Sequence, residues 1–277
     1  MKLEALADIA PQYDAFLIDQ FGVLIDGQAA YPGAIAALAH IADLGKPVVI
    51  LSNSGKRAQA NCDRVVSFGF QRDHFQTVVT SGEIAYQNIK AELGKTIGPN
   101  SIVMVLSRKG DVSPIADLGL PETDDPRAAD LLLIVSRDLG MTQDDYASLL
   151  QKFYAGGGQC LCLNPDLNML TPTGIQFAAG TIARLYEQLG GHVEWFGKPH
   201  PQIYDVALKL LPKVQTRRVL CVGDSIHHDI LGGHNAGFAT ALVRVGLHSE
   251  LSDMEVIDTL EKQNLRPDHF LKSFEVT

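Results

Sequence analysis

Several features that would assign a chain to other classes are missing here. No run of Lys and Arg exceeds two residues, and the net charge is −9. A nucleic-acid surface needs clustered basic charge, so nucleic acid is set aside as a partner. The acidic balance is what solvated helix faces supply, and it is compatible with a small phosphorylated substrate if a lysine or a metal ion handles the phosphate. Cysteines are few: Cys62, Cys160, Cys162 and Cys221, with no C-x-x-C pair. A zinc site is therefore not expected, and buried reduced thiols in a cytoplasmic protein are. No positive-apolar-small signal opens the sequence, and no apolar run approaches the ~20 residues of a membrane span, so neither secretion nor membrane insertion is expected. Low-complexity stretches and internal repeats are absent too. What is present is 277 residues, 46% hydrophobic and 20% charged, an ordinary globular composition long enough for two domains.

Short apolar runs alternate with amphipathic segments along most of the chain. Runs at 15–19, 47–51 and 77–80 read as strands, followed by helical patterns from about 33, 56 and 82. Runs at 193–196, 218–222 and 239–244 resume the rhythm, with helices over about 201–211 and 228–236. This alternation predicts an α/β fold, a parallel sheet with helices on both faces, whose ligands bind beyond the carboxyl ends of the strands. Further strands are expected at 101–106, 131–136 and 159–163, but none ends in a reactive residue, and 107–129 reads as loop. Gly156-Gly157-Gly158 reads as a helix C-cap, since no G-K-[ST] follows it. The expected division is a discontinuous core, 1–81 and 179–277, with an inserted α/β domain over 82–178.

Chemistry gathers at the strand ends of the core. Asp19 ends Phe16-Leu17-Ile18; it is either a turn residue or a nucleophile whose charge and target a divalent metal would manage. Gly22 suits the sharp turn that follows. Ser52-Asn53-Ser54-Gly55 follows Val48–Leu51 and precedes a helix, a position for N-capping, for phosphate binding, or for both. Lys198, between Gly197 and Pro199, is an ammonium that would neutralise a nucleophile and phosphoryl oxygens. Asp224 ends the run before it, and Asp229 lies about one helical turn further. The pair suits a first-turn acidic cap, or a Mg²⁺ site in which Asp224 binds the ion and Asp229 faces a metal-bound water or Lys198. His200, His227 and His228 lie close by in sequence and titrate near neutrality.

Taken together, Asp19-x-x-Gly22-Val23-Leu24, Ser52-Asn53, Gly197-Lys198-Pro199 and Gly223-Asp224…Asp229 resemble, in order, the four motifs of haloacid dehalogenase-like hydrolases. The insert resembles the α/β cap of subfamily IIA, which includes nucleotide and sugar phosphatases, p-nitrophenyl phosphatase and pyridoxal phosphate phosphatase. Thr80-Ser81-Gly82 and Asn164-Pro165-Asp166 add to the likeness. The resemblance implies a Rossmann-like, doubly wound core with an inserted cap, Mg²⁺ and an aspartyl-phosphate intermediate formed on a small phosphorylated metabolite. It implies Asp19 as nucleophile and metal ligand, Lys198 as charge-balancing catalytic residue, and Ser52, Asn53 and Lys198 as phosphate-binding. The Phe21 carbonyl, Asp224 and Asp229 complete the implied metal set, and a homodimer through the cap is the implied assembly.

Phe21 departs from that pattern. Phosphatases of the family carry there a carboxylic acid that protonates the leaving group, so weak or specialised turnover is expected. A phosphometabolite-binding protein without turnover is the alternative. A dehalogenase fits less well, because Asp19 to Ser52 leaves room for one helix only and the acidic pair would be idle like charges.

Overall fold

The computed structural model describes residues 2–171, 174–246 and 249–277. Its strands in chain order are β1 (Ala15–Asp19), β2 (Val48–Ser52), β3 (Val78–Thr80), β4 (Val103–Leu106), β5 (Leu131–Ile134), β6 (Gln159–Cys162), β7 (Asn168–Thr171), β8 (Gly174–Phe177), β9 (Val193–Trp195), β10 (Val219–Gly223), β11 (Ala239–Val243) and β12 (His269–Leu271). The helices are α1 (Leu6–Ile9), α2 (Ala34–Asp43), α3 (Ala58–Ser67), α4 (Ser81–Glu92), α5 (Gln143–Gly156), α6 (Ala179–Gln188), α7 (Pro201–Leu210), α8 (Leu231–Asn235) and α9 (Asp253–Lys262). Among the described residues no helix is long and apolar enough to cross a membrane.

Two compact units emerge: Met1–Ser52, Gln59–Val79 and Lys198–Thr277 form the first, Asn53–Ala58 and Thr80–Gly197 the second. The first holds a sheet of order β12-β11-β10-β1-β2-β3. Strands β1, β2 and β10 are buried along their whole length, the pattern of a parallel sheet covered on both faces. Phe16, Ile18, Ile50, Leu220 and Val222 pack with Leu38 and Ile41 of α2 and Val65 of α3 on one face. Each such side chain contributes about 1.5–3 kcal/mol on burial. The registers Asp19↔Leu51 and Ile18↔Val222 bring the carboxyl ends of β1, β2 and β10 level with one another. That levelling is what assembles the site.

The second unit holds a four-stranded sheet, β4-β5-β6-β9, parallel throughout, and a β7–β8 hairpin. Helix α5 opens with a Thr142–Asp145 capping box and closes on left-handed Gly157, the C-cap expected from the triple glycine.

The boundary expected at 178/179 falls instead after Gly197, and 53–58 join the second unit. Residues 193–195 do not resume the first sheet; Val193 and Trp195 pair with Cys160 and Cys162 of β6. A three-residue apolar run has the same pattern in either sheet, and only the free edge it meets decides its neighbour. Beyond the expected elements, α9 and the edge strand β12 extend the first unit. A three-residue edge strand beginning with histidine carries too little periodicity to be read in advance.

Candidate active site

Asp19 is the last residue of β1, and its carboxylate is buried at 7% exposure. The chain then turns at Gly22, where φ is +92° and a Cβ would lie 2.2 Å from Asp224 Oδ2. Glycine there permits both the left-handed turn and the approach of Asp224. Gly22→Ala is expected to push Asp224 out of place and lower turnover on the order of 10²-fold, as misplacement by about 1 Å does. Steady-state kinetics on a variant with an unchanged circular dichroism spectrum reads this; wild-type rates would show that Asp224 has no fixed role.

Lys198 connects the acids. Its Nζ donates to Asp19 Oδ1 at 2.5 Å and to Asp229 Oδ1 at 2.7 Å, and the side chain is 2% exposed. Asp229 reaches it because the helix after β10 starts with a π-helical turn, Ile226–Ile230. The Asp229 carboxylate folds back over Gly223, where a Cβ would lie 2.0 Å from its Cγ, and Oδ2 accepts from the Ser225 N–H at 3.1 Å. Ser225 also caps the turn, its Oγ accepting from His228 N–H. Of the two roles expected for Asp229, contact with Lys198 is thus formed directly.

Burial raises the Asp19 pKa well above the usual carboxylate range, Asp229 and Asp224 add to the rise, and Lys198 opposes it. For Lys198, burial works against the charge, but the Asp19 and Asp229 carboxylates outweigh it and the ammonium is held protonated. Asp19, Asp224 and Asp229 each present an oxygen within 4.8 Å of the others. Three buried carboxylates thus gather around one ammonium. Such a donor set fits a hard divalent cation that takes oxygen ligands.

Ser52 ends β2, buried at 1% exposure. The loop after it belongs to the second unit and is fastened there. Asn53 Nδ2 donates to Asp166 Oδ1 at 2.8 Å, and the Ser54 carbonyl accepts from Gly82 N–H at 3.0 Å and Ser81 Oγ at 3.1 Å. Thr80 Oγ1 donates to the Lys56 carbonyl. The segments noted in the sequence, Thr80-Ser81-Gly82 and Asn164-Pro165-Asp166, therefore hold this loop in shape.

Phe21 presents no titratable group; its ring packs against the core of the first unit, with the Arg64 guanidinium 5.7 Å from its centroid. Asp26 is committed as an acceptor. Its Oδ1 takes the N–H groups of Ala29 and Gln28, and these bonds hold its pKa below the usual range. His228 is buried with Nδ1 3.2 Å from Ser225 Oγ, whereas His227 is exposed. Tyr31 was not anticipated. Its phenol pKa is raised by burial, then by the charges of Asp224, Asp26 and Asp19, so it stands as a neutral O–H in the field of the acidic cluster. A tyrosine just before Pro-Gly carries no motif that would have marked it.

The haloacid dehalogenase-like hydrolase model matches residues 16–121, and a second HAD-hydrolase-like model matches 195–276, so that the two take in Asp19, Ser52, Lys198, Asp224 and Asp229. The chain belongs to the haloacid dehalogenase-like hydrolases. Among relatives of this superfamily enzyme, human chronophin (Homo sapiens) is 26% identical over 97% of this chain and 93% of its own length. The sugar-phosphatase AraL of Bacillus subtilis is 27% identical over 89% of this chain and 88% of its own. A haloacid dehalogenase-like hydrolase from Brucella suis superposes with a TM-score of 0.84 at 25% identity, covering 98% of this chain and 99% of that one.

Proposed function

We propose that the chain is a Mg²⁺-dependent phosphatase of the subfamily IIA type, acting on a small phosphorylated metabolite through an aspartyl-phosphate on Asp19. The observation that carries this reading is the buried Asp19–Lys198–Asp229 chain with Asp224 beside it, a nucleophile, a fixed ammonium and a cation-binding set at adjacent strand ends. Similar proteins of named activity support it: sugar-phosphatase AraL, ribonucleotide monophosphatase NagD of Escherichia coli and dihydroxyacetone phosphatase of Corynebacterium glutamicum.

In this reading Asp19 attacks phosphorus, and the bond to the leaving oxygen breaks with its electron pair. Water then opens the acyl phosphate, releasing phosphate and restoring the carboxylate. Lys198 holds Asp19 in place and meets phosphoryl oxygens, Asp229 holds Lys198, and Ser52 with Asn53 binds the phosphate. Asp19, the Phe21 carbonyl and Asp224 would hold Mg²⁺ with Asp229 behind them; the ion supplies charge neutralisation of the phosphoryl group. The four cysteines, all free and buried, accord with a reducing cytoplasm, and pairing of two copies through the second unit belongs to the same proposal.

Turnover of p-nitrophenyl phosphate with and without Mg²⁺ tests the reading. Activity that survives chelation would overturn it. Asp224→Asn is expected to weaken Mg²⁺ binding at least tenfold by titration calorimetry, since a full ligand charge is removed; unchanged affinity would remove Asp224 from the metal set. Binding of phosphate esters without turnover would favour the alternative, a phosphometabolite-binding protein, for which the apolar Phe21 is the supporting observation. Dehalogenation is disfavoured, since α2 is the one helix between β1 and β2.

A further inference from the structure

The Lys198–Asp229 ion pair has a second tie running beside it, within the first unit. Lys198 and the residues after it lead into α7, and that helix carries Tyr204, which is 1% exposed. The Tyr204 O–H donates to the His228 carbonyl at 2.8 Å, inside the π-helical turn that delivers Asp229. The His228 carbonyl and the Asp229 N–H belong to one planar peptide group. Its N–H donates to the Ser225 carbonyl at 2.9 Å. The peptide that bears Asp229 is therefore held at both ends, by Ser225 from its own turn and by Tyr204 from α7.

The contact is built for close approach. A Cβ on Gly232 would lie 2.1 Å from the Tyr204 hydroxyl oxygen, so glycine leaves the space that the hydroxyl fills. Burial first, then Cys221, Asp229 and Asp19, raise the phenol pKa well above its ordinary value, and the group stays a neutral donor. Packing between α7 and α8 is incomplete. Pro199, Tyr204, Leu208, Asn235, Ala236 and Phe238 line a cavity of about 470 Å³ there. With that gap between the helices, a directional bond supplies the register that continuous packing would otherwise set.

We propose that Tyr204 is a positioning residue: its hydroxyl fixes the Asp229 peptide so that the carboxylate meets Lys198, which in turn holds Asp19. Its effect on turnover rests on the phosphatase reading; its effect on the ion pair does not.

The test compares wild type with Tyr204→Phe, which removes only the hydroxyl, and with Tyr146→Phe as a control. Tyr146 is an equally buried tyrosine of the second unit, whose hydroxyl accepts from the Asp138 N–H at 2.8 Å. Each variant loses one buried hydrogen bond, so both are expected to melt a few degrees lower. Only Tyr204→Phe is expected to disturb the ion pair. In metal-free protein labelled with ¹⁵N-lysine, the Lys198 ammonium should give a protected resonance, assigned by its loss in Lys198→Met. That resonance should shift and broaden in Tyr204→Phe and stay in place in Tyr146→Phe. With Mg²⁺ and p-nitrophenyl phosphate, Tyr204→Phe should lose kcat roughly tenfold, the scale of one hydrogen bond, with KM within about twofold. Gly232→Ala crowds the hydroxyl from the other side and is expected to repeat both changes; it decides the matter should Tyr204→Phe not fold. An unmoved resonance in Tyr204→Phe, an equal shift in Tyr146→Phe, or no protected ammonium in wild type would overturn the proposal. An unchanged kcat beside an active wild type would overturn its bearing on turnover. If wild type hydrolyses no phosphate ester, the phosphatase reading falls and the ammonium resonance alone decides the role of Tyr204.

Discussion

Asp19→Asn is expected to abolish turnover, by a factor on the order of 10⁴–10⁶ if Asp19 is the nucleophile proposed above, while stabilising the metal-free protein at neutral pH. The first effect follows from the lost carboxylate. The second follows from its environment: burial and the neighbouring acids hold the Asp19 pKa well above the usual range. The unfolded chain releases that proton at about pH 4, whereas the folded metal-free protein keeps it to higher pH. Over that window the native state binds more protons, so the contribution of Asp19 to stability falls as pH rises. Asparagine carries no charge and keeps an oxygen to accept from Lys198, so the penalty disappears. In chelator at pH 7 the variant should melt a few degrees higher, at about 2–4 °C for each kcal/mol recovered, with the difference vanishing near pH 4. Differential scanning calorimetry across pH measures it. A variant that melts lower at pH 7 would mean that the ion pair with Lys198 outweighs burial and repulsion.

Phe21 sets the second large effect. A general acid contributes roughly 10²–10⁴-fold, most of it when the leaving oxygen is a poor leaving group. Since the ring packs into the core and Asp26 is committed as an acceptor, neither donates a proton. Wild type is therefore expected to hydrolyse aryl and acyl phosphates at least 10²-fold faster than alkyl phosphates. Phe21→Asp should raise the alkyl rate more than the p-nitrophenyl phosphate rate, by a modest factor because the pocket is shaped for a ring. Ready hydrolysis of an alkyl phosphate by wild type would show that another donor is at work. Tyr31 is then the residue to replace with Phe, ahead of His200 and His228, because its neutral O–H lies in the field of Asp224 and Asp19.

The sequence by itself determined the strands that carry the chemistry. Apolar runs ending in Asp19, Ser52 and Gly223-Asp224, alternating with amphipathic segments, read as buried parallel strands, and such strands present their terminal side chains at one edge of the sheet. The absence of an acid at Phe21 was equally plain, because a missing functional group needs no coordinates to be noticed. Tertiary structure decided what depends on partners distant in sequence. It placed β9 against β6 because that edge was open to its hydrogen bonds. It gave Asp229 to Lys198 through a π-helical turn that five residues of sequence do not announce. It also stacked Arg137 on Phe177, 40 residues away, and left its Nε without an acceptor among the described residues. Periodicity records which face of an element is buried; it carries no record of which polar atom across the fold will be there to meet it.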